Sequence, residues 1–315
     1  MKRLLIHSLV FGPDGVSTAY LYNDIAEAFA AAGWQVRVVT TTPHFNPPRK
    51  GAETKPFSAG IQITRIPMRR FSNFGVRALS FAWWHLASFF VILLGKRPDV
   101  ILSPSPPPTV GLLNLWLGRI KRCKVVYNVQ EIYPDILQKL HGLPLRVMKR
   151  MERRIYDGSD AVVTIDRVFR DTIAPRFAHP GKLHIIPNFV DTELYRPLSV
   201  IPDEAKESRI TLLYAGNIGY AQDWDLLLDL AEKTAKLPVE YCVVGDGVRR
   251  EMLLKGMEVR NLGNIRVLPY QPREKMPELL AGSDANFIFM HPAMDRQGFY
   301  AHELISPREY ISIII

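Results

Sequence analysis

The sequence predicts an α/β protein made of two doubly wound parallel-sheet domains, and three observations predict it. Apolar strand-like runs alternate with stretches of helical periodicity, the pattern of a parallel sheet covered on both faces. The alternation halts in an aperiodic, proline- and charge-bearing segment, NFVDTELYRPLSVIPDEAKESRI, and then restarts. Each of the two series opens with a strand, a two-glycine turn and a helix. A chain of 315 residues, 47% hydrophobic, is long enough for two such domains and too apolar to be disordered.

In the first series, strands are expected at 3–9, 35–41, 61–66, 99–103, 124–129, 161–165 and 183–187, with helices at 16–32, 76–95, 109–121, 144–157 and 167–175. The opening MKRLLIHSLVFG has the basic start and apolar run of a secretion signal. However, His7 and Ser8 interrupt it and no small-residue cleavage site follows, so it reads as the first strand. Gly12 and Gly15 make the turn, and STAYLYNDIAEAFAAAG makes a helix stopped at Gly33.

The segment VRALSFAWWHLASFFVILLG is apolar from Ala78 to Leu94 apart from His85 and small or neutral breaks. Arg69, Arg70 and Arg77 precede it, and Lys96 and Arg97 follow. Its 17 residues from Ala78 to Leu94 stand at the lower edge of a bilayer span. Three readings stay open, in this order: burial against a sheet, lying in a membrane interface with basic flanks on phosphates, and crossing the bilayer. The stop Lys96-Arg97-Pro98-Asp99 before VILS favours a helix-to-strand connection.

The first domain is expected over 1–188, a linker over 189–209 and the second domain over 210–315. In the second, strands are expected at 210–215, 239–244, 265–268 and 285–290, and helices at 224–236, 248–256 and 274–281. Its opening stretch, LLYAGNIGYAQDWDLLLDL, contains no Lys or Arg. Ile210, Leu212, Leu213 and Tyr214 read as the buried strand, and Leu226, Leu227, Leu230 and Ala231 as the inner face of the helix. A glycine turn before a helix N-terminus presents backbone N–H groups and partial positive charge, enough to attract a phosphate without a basic side chain. An ordinary strand-to-helix connection is the other reading.

Composition narrows the function. The net charge of +9 is uneven: residues 1–188 hold 26 Lys and Arg against 12 Asp and Glu, a net of +14, and residues 189–315 hold 14 against 19, a net of −5. The first half therefore suits an anionic partner. Nucleic acid fits poorly, because the basic residues are scattered and no helix-turn-helix, zinc or aromatic RNA-binding signature is present. A membrane surface fits better. A dinucleotide oxidoreductase would need G-x-G-x-x-G after the first strand and an acidic end to the second, where this chain has GPDG and the threonines of QVRVVTTT. Cys123 and Cys242 lack metal-ligand spacing and read as buried thiols. Asp223-Trp224-Asp225 has the D-x-D form of a metal site, but both carboxylates fall in a first helical turn, where the dipole favours them. His7 and His44 read as structural or cleft-facing imidazoles.

Taken together, the motifs resemble family 4 of the retaining glycosyltransferases, with its GT-B architecture of two Rossmann-like domains facing a cleft. The exopolysaccharide and O-antigen branch is the most similar. The pieces that carry the resemblance are Gly15-Val16-Ser17, RPDVILSPSPPP, NVQEIYPD (128–135), IIPNFVDTELYRP (185–197), YAGNIGYAQ, VVGDG (243–247) and NIRVLPYQPREKMPELLAGSD (264–284). Their order and spacing, more than any one of them, make the match. The second domain reads as incomplete, by truncation or a frame change after about Gly298, with only Ser306-Pro307-Arg308-Glu309-Tyr310 like the start of the family's nucleotide-binding helix.

The resemblance implies a nucleoside diphosphate-sugar as donor, a lipid-linked saccharide as acceptor, peripheral contact with an anionic membrane on the cytoplasmic side, and neither cofactor nor metal nor nucleic acid. Donor binding falls on Gly15, Gly216, Asn217, Ile218, Gly219, Gln222, Gly245, Asp246, Tyr270, Gln271, Arg308 and Glu309. Relatives carry Arg and Lys on the loop where this chain has Asn217 and Gln222, so backbone N–H groups of 216–219, the helix N-terminus and the Gln222 amide are expected to replace them. The basic first domain or Arg308 would add charge. Glu131, Gln130 and Asp135 are the catalytic candidates, with Glu131 orienting acceptor or donor sugar; alternatively Tyr133-Pro134-Asp135 only starts a helix. Two other classes stay open. One is a catalytically incompetent fragment or non-catalytic membrane partner; the other, a sugar-nucleotide epimerase, lacks a visible acid/base pair.

Overall fold

The computed structural model describes residues 1–44, 56–68, 74–135, 141–196 and 209–289. The chain divides into two compact units, Met1–Asn188 and Phe189–Ile315.

In the first unit, β1 (Arg3–His7), β2 (Gln35–Thr41), β3 (Ile61–Ile66), β4 (Val100–Pro104), β5 (Lys124–Val129), β6 (Ala161–Thr164) and β7 (Leu183–Ile185) form one parallel sheet in the order β3-β2-β1-β4-β5-β6-β7. The order reverses at β1 and β4, so the loops leaving those strands flank a topological switch point. Five helices connect the strands: α1 (Ser17–Ala31), α2 (Phe74–Leu94), α3 (Pro108–Lys121), α4 (Gly142–Gly158) and α5 (Arg167–Ile173).

The two-residue period of the strands decides which helix covers which face. Leu4, Ile6, Val36 and Val38 pack with Tyr22 and Ala26 of α1. Leu5, Val39 and Ile101 point the other way and meet Trp84 and Ile92 of α2, Val110 and Leu117 of α3, and Ile155 of α4. Three of these helices have a legible start or stop: Gly33 leaves α1 at φ +81, Pro108 opens α3, and Asp166 caps α5 by accepting from Phe169 N–H at 2.7 Å. β1 stops at His7, two residues earlier than expected, because the Ser8 hydroxyl turns to bond Val10 O at 2.7 Å. Cys242 is buried, whereas Cys123 is only half-buried at the turn before β5, and both are free thiols.

The second unit has β8 (Ile210–Ala215), β9 (Val239–Val244), β10 (Ile265–Leu268) and the two-residue β11 (Ala285–Asn286), all parallel, in the order β10-β9-β8-β11. Helices α6 (Trp224–Lys233), α7 (Arg250–Val259) and α8 (Met276–Ala281) join them. The last strand covers Ala285–Asn286 rather than the expected 285–290, and burial differs at two further places. Ile210 is 49% exposed at the strand start, and Leu226 and Leu230 face outward. The inner face of α6 is instead Trp224, Leu227, Leu228 and Ala231, an i, i+3, i+4, i+7 series anchored by the largest side chain in the helix. Trp224 also donates its indole N–H to Gly219 O at 2.8 Å, which fixes the helix to the turn before it.

Candidate functional site

Three loops leave the C-terminal ends of neighbouring strands in the second unit: 216–222 after β8, 245–249 after β9 and 269–271 after β10. Gly216, Asn217, Ile218, Gly219, Gln222, Gly245, Asp246, Tyr270 and Gln271 all lie on this edge, where open parallel sheets take ligands. Arg308 and Glu309 lie outside the described residues.

The first two loops interlock main chain to main chain. Gly216 N–H donates to Val244 O and Ile218 N–H to Asp246 O, both at 2.9 Å, and Arg249 N–H returns to Ile218 O at 3.0 Å. A Cβ on Gly245 would overlap the Gly216 carbonyl oxygen, and one on Gly247 would overlap that of Ile218. Glycine is required at both places by this close approach.

That engagement takes three of the turn's four amides from the set expected to face an anion. Besides the two just named, Gly219 N–H is shared between Asn217 O at 3.0 Å and the Gln222 side-chain oxygen at 3.3 Å. Asn217 N–H alone of the four has no acceptor among the described residues. The N-terminus of α6 is capped from within the chain. Asp223 caps it by accepting from Leu226 N–H at 3.1 Å, and Asp225 follows in the first turn, so carboxylates hold the positive end of the dipole. Among the described residues no group of three or more His, Cys, Asp or Glu side chains is placed to hold a metal ion.

The residue missed from sequence is Arg249. Its guanidinium lies 4.7 Å over the Tyr220 ring and makes no ion pair among the described residues. Arg249 and Arg250 stand at the N-cap and first position of α7, ahead of Glu251, where the helix dipole disfavours cations unless an anion is near. The signal was present: GDGVRR puts two arginines at a helix start. On the third loop, Tyr270 is 37% exposed and Gln271 donates its side-chain N–H to Pro269 O at 3.1 Å.

The equivalent edge of the first unit is held by side chains. Ser105 Oγ accepts from both Gln130 N–H and Glu131 N–H at 3.0 Å. Gln130 exchanges two hydrogen bonds with Asn188, at 3.0 and 2.9 Å, and donates to Asn128 Oδ1 at 2.9 Å, so its amide acts as a brace. Asp135 is paired with Arg176, which also holds the buried Glu152 at 2.8 Å; Tyr156 O–H donates to the same carboxylate at 2.9 Å. Of the three catalytic candidates, Glu131 alone keeps a carboxylate without a cationic partner among the described residues. Burial raises its pKa, against a hydrogen bond from Tyr133 that lowers it. Gly15 is buried immediately before α1.

Of the two singled-out histidines, one is buried and the other half-buried. His7 is fully buried, with Nδ1 at 2.7 Å from Asn114 Oδ1; Asn114 turns its NH2 to Ser103 Oγ at 2.8 Å, which assigns the His7 proton to Nδ1. Burial lowers its pKa to about 4. His44 Nδ1 meets the Thr41 hydroxyl at 2.9 Å, and its backbone N–H donates to Asp14 at 2.7 Å.

A profile of the glycosyl transferase 4-like domain matches residues 18–188, more than half of the chain. The chain belongs to the glycosyl transferase 4-like family. It is 21% identical over 309 residues to WcaI of Escherichia coli, which bears the name of a colanic acid biosynthesis glycosyl transferase, covering 91% of this chain and 76% of that protein. It is 23% identical to one of the subunits of the phosphatidylinositol N-acetylglucosaminyltransferase of Arabidopsis thaliana, covering 88% of this chain and 60% of that one. Among solved structures, Anabaena HepE in complex with UDP and glucose superposes with a TM-score of 0.62 at 14% identity, over 91% of this chain and 73% of HepE. The fold is that of the GT-B glycosyltransferases, each unit a Rossmann-like parallel sheet.

Proposed function

We propose that this family member is a retaining glycosyltransferase of surface polysaccharide synthesis, moving a sugar from a nucleoside diphosphate donor to a lipid-linked saccharide at the cytoplasmic face of a membrane. The observation that carries the donor half is the pair of interlocked glycine loops with Arg249 lying over Tyr220 and making no ion pair among the described residues. The donor diphosphate lies against Asn217 N–H and the Arg249 guanidinium, and the base lies by Tyr270 and Gln271. Arg249 supplies the positive charge that the Gly216–Gly219 turn lacks. As the sugar–diphosphate bond breaks and the bond to the acceptor oxygen forms, the leaving diphosphate takes the acceptor proton. Arg249 stabilises the charge that develops there, in the manner of a preorganised electrostatic site. In the first unit, Glu131 orients the acceptor through its half-buried carboxylate. The name of the Escherichia coli relative supports the polysaccharide setting, the UDP and glucose bound to HepE support the donor class, and the phosphatidylinositol in the plant relative's name supports a lipid acceptor.

Thermal unfolding of the protein with UDP, GDP, ADP or dTDP, each at about millimolar concentration, tests the donor half, because a ligand that binds only the native state raises the midpoint by mass action. A rise with one diphosphate and not the others is the expected result. A cooperative transition that none of the four moves would sink the donor site.

A further inference from the structure

The first unit exposes an apolar face that the sugar-transfer chemistry does not use. Helix α2 carries apolar side chains on both sides: Trp84 and Ile92 are buried on the sheet with Ser88, while Leu79 (71%), Trp83 (55%), Leu86 (55%) and Phe90 (49%) stand on the opposite side in solvent. The spacing of 79, 83, 86 and 90 makes them one continuous stripe along a 21-residue helix, roughly 30 Å in length. Helix α3 packs beside α2 and adds Trp116 (60%) and Ile120 (53%) to the outward side of the same layer. An apolar patch of this extent on one side of a folded domain marks an interaction surface.

Charge says what lies on it. Neither α2 nor α3 contains an acidic residue. Helix α4, packed against α3 in the same layer, exposes Arg146, Lys149, Arg150, Arg153 and Arg154, and none of the five forms an ion pair among the described residues. Its two acidic residues are engaged elsewhere: Glu152 is buried on Arg176, and Asp157 accepts from Ala178 N–H at 2.7 Å. The layer therefore runs from an apolar, tryptophan-bearing side to one where five exposed cations stand with Leu143 and Val147. A second copy docking here by two-fold symmetry would bring two such cationic helices to one interface, where like charges oppose it. A bilayer with anionic headgroups satisfies both parts at once, with apolar side chains at the acyl boundary and basic ones on phosphate.

We propose that the outer face of α2 and α3 is where this protein lies on an anionic lipid bilayer, with the cationic face of α4 on the lipid phosphates. Because the inner side of α2 is packed on the sheet, the helix lies along the membrane rather than crossing it. The contact is independent of donor and acceptor chemistry, so it is measured without either.

The test is sedimentation of the whole 315-residue protein with vesicles of phosphatidylcholine alone and of phosphatidylcholine mixed with phosphatidylglycerol. Two doubly substituted proteins accompany it, Trp83→Ser with Leu86→Ser and Arg150→Glu with Arg153→Glu. All four positions are exposed, and unchanged thermal midpoints check that folding is intact. The wild type is expected on the phosphatidylglycerol vesicles, released as salt rises, and each double variant is expected to bind about tenfold or more weakly. Wild-type protein left in the supernatant, or variants that bind as well as wild type, would overturn the proposal. So would a wild-type dimer in gel filtration that Trp83→Ser with Leu86→Ser converts to monomer, since the face would then be a contact between copies of the chain.

Discussion

In the first unit the loops at the strand C-termini are tied by side chains: Ser105 receives two backbone amides, Gln130 and Asn188 exchange hydrogen bonds, and Arg176 joins Asp135 to Glu152. In the second unit the corresponding loops touch main chain to main chain, through glycines that leave no room for a Cβ. The difference decides where charge remains available. Side-chain ties neutralise Asp135 and Glu152 internally, so among the three candidates Glu131 is the carboxyl left without a cationic partner among the described residues. Main-chain ties consume amides and no charge, so on the second edge Arg249 stays beside the turn without an ion pair among the described residues.

Arg176→Ala tests the side-chain half most severely. It leaves Glu152, 7% exposed, without its cation, and a loss of about 3 kcal/mol is expected on breaking a buried pair in this way. Denaturant unfolding measures it, and a change under about 1 kcal/mol would mean that the ion pairs are decoration. Gly245→Ala attacks the main-chain half, because its Cβ would overlap Gly216 O. We expect a loss of about 2 kcal/mol together with loss of the diphosphate-induced rise in midpoint; an unaltered rise would show that the interlock does not shape the donor site.

Arg249→Ala is a smaller and sharper probe. Folding should be nearly unaffected, since the side chain makes no ion pair among the described residues, while diphosphate affinity falls about tenfold, as expected for one charge-assisted contact. Calorimetry showing equal affinities would return the anion to the turn's own amides.

Glu131→Gln gives the smallest effect and depends on pH. Burial raises the Glu131 pKa, so the folded state holds that proton more tightly than the unfolded chain does. The ionised form is then a cost to folding that is absent below the unfolded carboxyl's pKa and complete above the folded one. Glutamine is accordingly expected to raise the midpoint by a degree or so at about pH 8 and not at about pH 4, while slowing sugar transfer. A midpoint gain that is the same at both pH values would remove burial of charge as its cause.

Much of the architecture was legible in local pattern. The strands at 35–41, 61–66, 124–129, 210–215, 239–244 and 265–268 lie where alternation of apolar and helical-period segments puts them. The site was legible only as a set of loops. YAGNIGYAQ and VVGDG were readable as strand-end turns, but nothing in either predicts that their amides bind each other. Asp135 was readable as a residue near a helix start, yet its partner Arg176 lies 41 positions away.

The chain itself determined which elements form and that α2 is apolar from Ala78 to Leu94 apart from His85 and small breaks, because periodicity is written in neighbouring residues and needs no partner to be read. Tertiary structure alone decided which side of α2 meets the sheet and which is left with Trp83 and Phe90 in solvent, which carboxylates are neutralised, and that Arg249 rests over Tyr220. Those outcomes depend on pairings between residues distant in sequence, whose energies exist only once the sheet order has placed them side by side.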